Sequence, residues 1–277
     1  CRRGEMVAVP ALLKRLPTDA LLLIDRGFFS YSLWKRALSR NLKLLNRVPH
    51  NTILEPVERL CDGSFLAKIY PSAKARRHDE QGILVRVIRY TLDDPQRTGH
   101  GEVHVLITNL LDAESYPAEE LILLYHERWE HEAVFDEQKT HHDPQRAHKP
   151  AQLRSQTPAG VVQEMYALSL GHFIVRTLMH EAARTADVDP DWLSFTGCFQ
   201  ILRCRLPECN GRNAKLLLEW YRALLWEMND ERCDPKRNRI NPRVIKRKMS
   251  GWPKKRPQHR HPPPPTKTFK QSVVVIH

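Results

Sequence analysis

The sequence predicts an α/β protein that carries an antiparallel β insertion and has a helical C-terminal part. A short apolar run, Leu21–Ile24, is typical of a strand buried on both faces of a sheet. Residues 51–111 instead alternate with period two and are rich in β-branched side chains, which is typical of antiparallel strands. From residue 117 onward, apolar residues recur at helical spacing.

The first half of the chain is predicted to alternate helices and strands before it enters the insertion. In chain order, we predict a helix at residues 6–16, a strand at 21–25, a helix at 30–40 and a strand at 42–48. The three insertion strands are predicted at residues 65–70, 83–91 and 103–109. Asp62 and Gly63 are typical of a hairpin turn between strands. We expect the segment 103–111 to return to the main sheet.

The second half of the chain is predicted to be helical. Pro117 suits a first helical turn, and Glu119 and Glu120 favour the positive end of the helix dipole. We expect one long helix that begins there and ends near His142. Further helices are predicted at residues 158–184, 192–206 and 212–229. After Cys233, a composition rich in Pro and basic residues predicts loose order, with four prolines at 262–265 as a stiff spacer.

These elements predict four regions. Residues 1–50 and 103–185 form a core, and residues 51–102 form the β-rich insertion. Residues 186–233 form the C-terminal helices, and residues 234–277 form a basic, Pro-rich tail. The chain has 277 residues, enough to bury a substantial core.

The positive charge of the chain is concentrated in the tail. The formal net charge is +12, and from Pro235 onward there are 13 basic residues and no acidic one. A block of this kind attracts nucleic acid through its phosphates. The candidate nucleic-acid contacts in the tail are Arg243, Lys246, Arg247, Lys248, Lys254, Lys255 and Arg256.

Other patterns limit the classes of protein. No run of about eighteen apolar residues is present, which predicts no contact with a membrane. The six cysteines form no C-x2-C pair, so we expect reduced thiols and a cytoplasmic location. His141, His142 and His148 suggest a metal site, but solvated loop histidines explain their pattern more simply.

The main functional signal is Y-x2-R-x3-E-x6-K, formed by Tyr125, Arg128, Glu132 and Lys139. On one continuous helix these four side chains would share an arc of about 60°. A carboxylate between two cations and a phenol suits a site that holds a divalent metal beside phosphate. The alternative is that Arg128 and Glu132 form an ordinary i,i+4 pair on a solvated helix face.

A second carboxylate, Asp25, directly follows the apolar strand and precedes Gly27, which permits a sharp turn. Acids at the carboxyl ends of buried strands lie where α/β sheets place their sites. The alternative is that Asp25 only opens a turn.

Together, D-R-G-F at 25–28 and the signature at 125–139 resemble the DDE transposases of bacterial insertion sequences. The narrower resemblance is to the group that has the Tyr-Arg-Glu-Lys signature and a β-rich insertion before the glutamate. Residues 153–164 and 241–256 also resemble recurring downstream segments of that family.

The resemblance implies a ribonuclease-H-like core whose first catalytic aspartate lies on its first strand. Only 24 residues precede Asp25, and neither acid among them, Glu5 or Asp19, ends an apolar strand. We therefore expect a partial core in the C-terminal portion of a transposase, whose first aspartate lies upstream or has been lost.

The resemblance also implies metal-dependent cleavage and strand transfer of DNA. Asp25 and Glu132 would hold two Mg²⁺ ions, for which Mn²⁺ can substitute. Arg128, Lys139 and Tyr125 would contact phosphates. Trp129 would either stack on an unpaired base or pack in the core.

The partners implied are the transposon ends and the target DNA, with a homodimer in the DNA complex and association with the bacterial nucleoid. Two alternatives remain open at this point. One is an inactive remnant that only binds DNA, and the other is a metal-dependent nuclease of the same fold.

Overall fold

The computed structural model describes residues 5–97, 99–138, 153–233, 256–257 and 263–276. The chain divides into two compact units. The first, here called the sheet unit, is Cys1–Arg128 with Ile240–His277, and the second, here called the helical unit, is Trp129–Arg239.

The sheet unit is built on one open, seven-stranded sheet with the strand order β1-β2-β6-β5-β4-β3, to which β7 is added beside β5. Among these described strands, only β1 and β2 run parallel, and every other pair is antiparallel. The strands are β1 Leu21–Ile24, β2 Lys43–Val48, β3 Glu58–Arg59, β4 Phe65–Ile69, β5 Ile83–Leu92, β6 His104–Thr108 and β7 Val273–Val275. Its helices are α1 Glu5–Leu13, α2 Tyr31–Leu38, α3 Ala73–Arg77, α4 Ala118–His126 and α9 Phe269–Ser272.

The predicted strands are confirmed, and so is the return of the chain to the main sheet. β6 pairs with β2 on one side and with β5 on the other. The strands predicted as an insertion therefore continue the same sheet. Successive side chains of β2 and β6 point to opposite faces of the sheet and so enter two different cores. Leu44 and Ile107 lie in the core that includes residues of α2, and Leu45 and Leu106 lie in the core that includes residues of α4.

The end of the chain is more ordered than its composition predicted. Val273–Val275 pair with Tyr90–Leu92 of β5, and the buried carboxylate of Asp94 accepts hydrogen bonds from Thr266 at 2.8 and 3.1 Å. The prediction of loose order is wrong for this segment because a run of β-branched residues favours a strand and finds an open partner in β5. The segment 234–255 of the predicted tail lies outside the described residues.

The single long helix predicted from Pro117 is wrong, because the structure has α4 and then a separate helix, α5 Trp129–Asp136. Between them the amides of Glu127 and Arg128 donate to carbonyls three residues back, at 3.1 and 3.2 Å. Arg128 contacts the end of β1 in the sheet unit, whereas the helical unit begins at Trp129. The shared arc calculated for one continuous helix therefore does not apply. The predicted helix end at His142 lies outside the described residues.

The helical unit contains α5 and three longer helices, which confirm the predicted ones. They are α6 Pro158–Thr185, α7 Phe195–Arg205 and α8 Ala214–Asp230. Each helix begins after a residue whose side chain accepts a hydrogen bond from a backbone amide of the first turn. These residues are Thr157, Ser194 and Asn213. Their shared core contains Val175, Met179, Cys198, Leu224 and Met228. In the described ranges, no helix has both the length and the apolar character that a membrane span requires.

A buried arginine fixes the start of α4 on the sheet. Arg86 of β5 is fully buried and donates to Ser64 Oγ at 2.8 Å, to the Tyr116 carbonyl at 2.6 Å and to the carboxylate of Asp62. Asp62 also accepts the amide of Ala118, the first residue of α4, at 2.8 Å. Burial alone would raise the pKa of Asp62, but these hydrogen bonds and the Arg86 charge outweigh it and lower the pKa.

Candidate active site

Asp25 lies at the carboxyl end of β1, as predicted. The strand ends at Ile24, and the next residues form a tight 3-10 turn whose first bond joins the Phe28 amide to the Asp25 carbonyl at 3.0 Å. The Asp25 side chain is 48% exposed. The backbone is thus fixed by the sheet and the turn, while the carboxylate stays accessible to a ligand.

A buried amide, Asn46 of β2, supports this strand end. Its side chain is fully buried and donates to the carbonyls of Ile24 at 3.1 Å and Asp25 at 3.3 Å. Trp34 Nε1 donates to its Oδ1 at 3.1 Å, which fixes the orientation of the amide. The role of Asn46 was not predicted, although a polar residue inside an apolar strand is a signal that the sequence does contain.

Two residues of the signature, Tyr125 and Arg128, lie against the same strand end. The buried Tyr125 hydroxyl donates to the Ile24 carbonyl at 3.4 Å, and an Arg128 Nη is 3.8 Å from Asp25 Oδ1. The Arg128 guanidinium lies 5.9 Å from the centre of the Tyr125 ring. The structure therefore brings Asp25, Tyr125 and Arg128 together.

The phenol of Tyr125 is held in its protonated form. Burial raises its pKa, and the nearby Asp25 carboxylate acts in the same direction, while the Arg128 and Arg47 charges oppose the rise. Arg47 follows Asn46 in β2 and donates to His104 Nδ1 at 2.8 Å. It adds to this end of the sheet unit a cation that no sequence motif indicated.

Glu132 and Trp129 lie on α5, in the helical unit. Both side chains are exposed, Trp129 by 49%, which does not agree with the expectation that Trp129 packs in a core. The buried side chains of α5 and its last turn are Ala133 and Glu137. Because Asp25 belongs to the sheet unit, its convergence with Glu132 stays a prediction.

Comparison with known proteins decides the family. A family model described as "Transposase DDE domain" matches residues 1–157, which is more than half of the chain. The chain belongs to the DDE transposase family. The family predicted from the two motifs is thereby confirmed.

A curated relative agrees with this family. The chain is 27% identical over 257 residues to the transposase InsG for insertion sequence element IS4 of Escherichia coli (strain K12). The match covers 91% of this chain and 56% of the relative. The chain thus spans little more than half the length of this curated transposase.

Several predicted contacts of the transposase lie outside the described residues: Lys139, Arg243, Lys246, Arg247, Lys248, Lys254 and Lys255, together with the histidines at 141, 142 and 148. Arg256 is described and its side chain is exposed. The contacts of these lysines and arginines with DNA stay predictions.

The described residues fit only part of a transposase metal site. Asp25 and Glu132 supply accessible carboxylate oxygens, the donors that Mg²⁺ prefers. No group of three or more His, Cys, Asp or Glu side chains is placed to hold a metal ion in the part of the chain that the structure describes. The two carboxylates are the kind of ligand that Mg²⁺ prefers, but two of them are few for holding two ions.

Proposed function

We propose that this chain is part of a DNA transposase in which Asp25 and Glu132 hold divalent metal ions for the cleavage and transfer of insertion-sequence ends. The observation that carries the proposal is the end of β1, where Arg128 and Tyr125 of the family signature lie beside the accessible Asp25 carboxylate. We propose further that the sheet unit is part of a ribonuclease-H-like core. The match to the DDE transposase family model supports both proposals, and the InsG relative, a transposase by name, supports the first.

The proposed roles of the side chains follow from their chemistry. Bound Mg²⁺ would supply activation of water or a 3′-hydroxyl and stabilisation of the leaving oxygen. Asp25 and Glu132 would hold the ions from the strand end and from α5. Arg128 offers a fork that binds phosphate through two hydrogen bonds, and Tyr125, whose buried hydroxyl donates to the Ile24 carbonyl, would support the strand end beside it.

Lys139 would add a point charge for a phosphate, and Trp129, half exposed, would stack on an unpaired base. The proposed partners are the transposon ends and the target DNA, bound by a homodimer. We also propose a cytoplasmic location close to the nucleoid. A second candidate function is an inactive transposase remnant that only binds DNA, and the small number of candidate metal ligands among the described residues favours it.

The chain alone should not cut or join DNA that carries insertion-sequence ends. Two carboxylates fix a pair of ions only loosely, since exchangeable water and not protein then fills most of the coordination positions of Mg²⁺. The measurement is an assay of strand nicking and joining in Mg²⁺ or Mn²⁺. Activity that disappears in Glu132→Gln would contradict the expected silence and would support the proposed site.

Neutralising the tail should weaken binding to all DNA sequences alike. Replacing Lys246, Arg247 and Lys248 by Gln should lower the slope of log K against log salt by about 0.9 for each phosphate that the tail no longer neutralises. The measurement is a salt titration of binding to two unrelated duplexes.

The matched control for the tail variant replaces three cations of α3, Lys74, Arg76 and Arg77, by Gln. These residues lie outside both the tail and the signature, so the salt slope should stay unchanged in the control. Equal effects in the two variants would show that net charge, and not the tail itself, determines the affinity for DNA.

A further inference from the structure

We propose that His172 and Arg176 of α6 are positioning residues for Glu132. They act through Glu137, which follows Glu132 by five residues, and they hold α5 in the rotation that exposes Glu132. This inference rests on the proposed role of Glu132 as a metal ligand.

The three side chains form a closed, buried cluster inside the helical unit. Glu137 is 5% exposed, and its Oε2 accepts from His172 Nε2 at 2.8 Å and from Arg176 Nε at 3.0 Å. Its Oε1 accepts from an Arg176 Nη at 2.6 Å. The guanidinium therefore binds both carboxylate oxygens, which fixes the plane of the carboxylate as well as its position.

The two donors are themselves held in place. The ring of Phe195, at the start of α7, lies 5.2 Å from the His172 ring and 5.8 Å from the Arg176 guanidinium. His172 and Arg176 are four residues apart on α6, so one helix face presents both. The donors are thus packed between α6 and α7, and the carboxylate is the group that they orient.

The position of Glu137 controls which side of α5 is exposed. Glu132 is exposed whereas Glu137 is buried, so the two side chains lie on different sides of this helical segment. Any rotation of α5 that withdraws Glu137 from the donors must also turn Glu132 away from its exposed position. At Glu137 and Gln138 the helix widens into a π-type turn, a local change that accompanies the burial of the carboxylate.

Apolar packing alone anchors α5 weakly. The helix has eight residues, too few to be stable in isolation, and Ala133 is its only buried residue. Its two largest apolar side chains, Trp129 and Phe135, are 49% and 44% exposed. The cluster at Glu137 therefore supplies a directional contact between this helical segment and α6.

The test combines a measurement on α5 with a measurement on the metal. In Arg176→Met, we expect amide hydrogen exchange over 129–136 to become at least about tenfold faster, as local opening becomes easier, while exchange in α8 stays unchanged. We expect the affinity of the chain for Mn²⁺ to fall toward that of Glu132→Gln. Arg176→Lys keeps the charge but not the fork, so it should give an intermediate result.

The matched control is Arg184→Met on the same helix, where an exposed arginine pairs with Glu181. It should change neither measurement. A triple replacement, His172→Phe with Glu137→Leu and Arg176→Met, removes the buried charges together and should keep a stable fold. A purely structural cluster would then leave Mn²⁺ affinity intact, whereas a positioning cluster would not.

Besides intact Mn²⁺ affinity in the triple variant, three results would overturn the inference. Unchanged exchange in α5 of Arg176→Met would show that the cluster does not hold this helix. The second result is that Arg176→Met exchanges faster but keeps its Mn²⁺ affinity, while Glu132→Gln loses affinity. The cluster would then have only a structural role. If Glu132→Gln itself leaves Mn²⁺ affinity unchanged, the proposed metal function fails, and this variant alone identifies that outcome.

Discussion

Replacing Asp25 by Asn, or Glu132 by Gln, should lower the affinity of the chain for Mn²⁺ by a factor of about ten to a hundred or more. Changes to groups that only support a metal ligand already cost that much, and these changes remove the ligand charge itself. Each amide keeps the shape of the side chain, so the fold should not change. The measurement is a titration of Mn²⁺ followed by electron paramagnetic resonance.

The pair should also behave as one unit. If both carboxylates hold the same ions, the double variant should bind Mn²⁺ little worse than either single variant, because the first change already breaks the site. The control is Asp136→Asn, an exposed carboxylate on the same helix as Glu132. One helix cannot surround an ion from both sides, so this control should bind normally. A loss as large as that of Glu132→Gln would place the ion along α5 instead.

Replacing Arg86 by Met should destabilise the sheet unit by about 3–5 kcal/mol, the usual cost of removing one partner from a buried ion pair. Arg86 is fully buried and donates to Asp62, Ser64 and carbonyls near the start of α4. Met fills much of the volume but leaves these acceptors without their donor. The measurement is urea unfolding, with the midpoint and slope compared with those of the unchanged chain.

The control for Arg86 is Lys68→Met. Lys68 and Asp79 form an exposed pair at 2.7 Å, which water and salt screen, so the midpoint should hardly move. Replacing Asp62 by Asn in the Arg86→Met background should recover part of the lost stability, because the uncompensated carboxylate is removed. If Lys68→Met is as costly as Arg86→Met, burial does not determine the strength of these pairs.

The strands and long helices could be predicted because their signals are local. An apolar run specified β1, period two specified β4 and β5, and apolar residues at helical spacing marked α6 and α8. Two errors arose where distant contacts decide the outcome. The break before α5 lies at Arg128, which contacts the end of β1, and β7 pairs with β5, which is far from it in sequence.

The candidate site was predictable only in part, for the same physical reason. The position of Asp25 could be predicted from the strand that precedes it. Tyr125 and Arg128 could be predicted as site residues because their spacing matches the signature. Asn46 supports the strand end from a neighbouring strand, and the cluster at Glu137 joins side chains that are 35 and 39 residues apart in sequence. Such partners depend on the folded topology, so a single sequence gives little sign of them.

The most direct test of the central claim, that Asp25 and Glu132 hold the same metal site, is cleavage of the protein by bound iron. Fe²⁺ in place of Mg²⁺, with ascorbate and peroxide, generates radicals that cut the backbone next to the ion. We expect two cuts, one beside Asp25 and one beside Glu132, both suppressed by excess Mg²⁺ and both lost in Asp25→Asn and in Glu132→Gln. A cut beside only one of the two carboxylates, or cuts that persist in the variants, would contradict the claim.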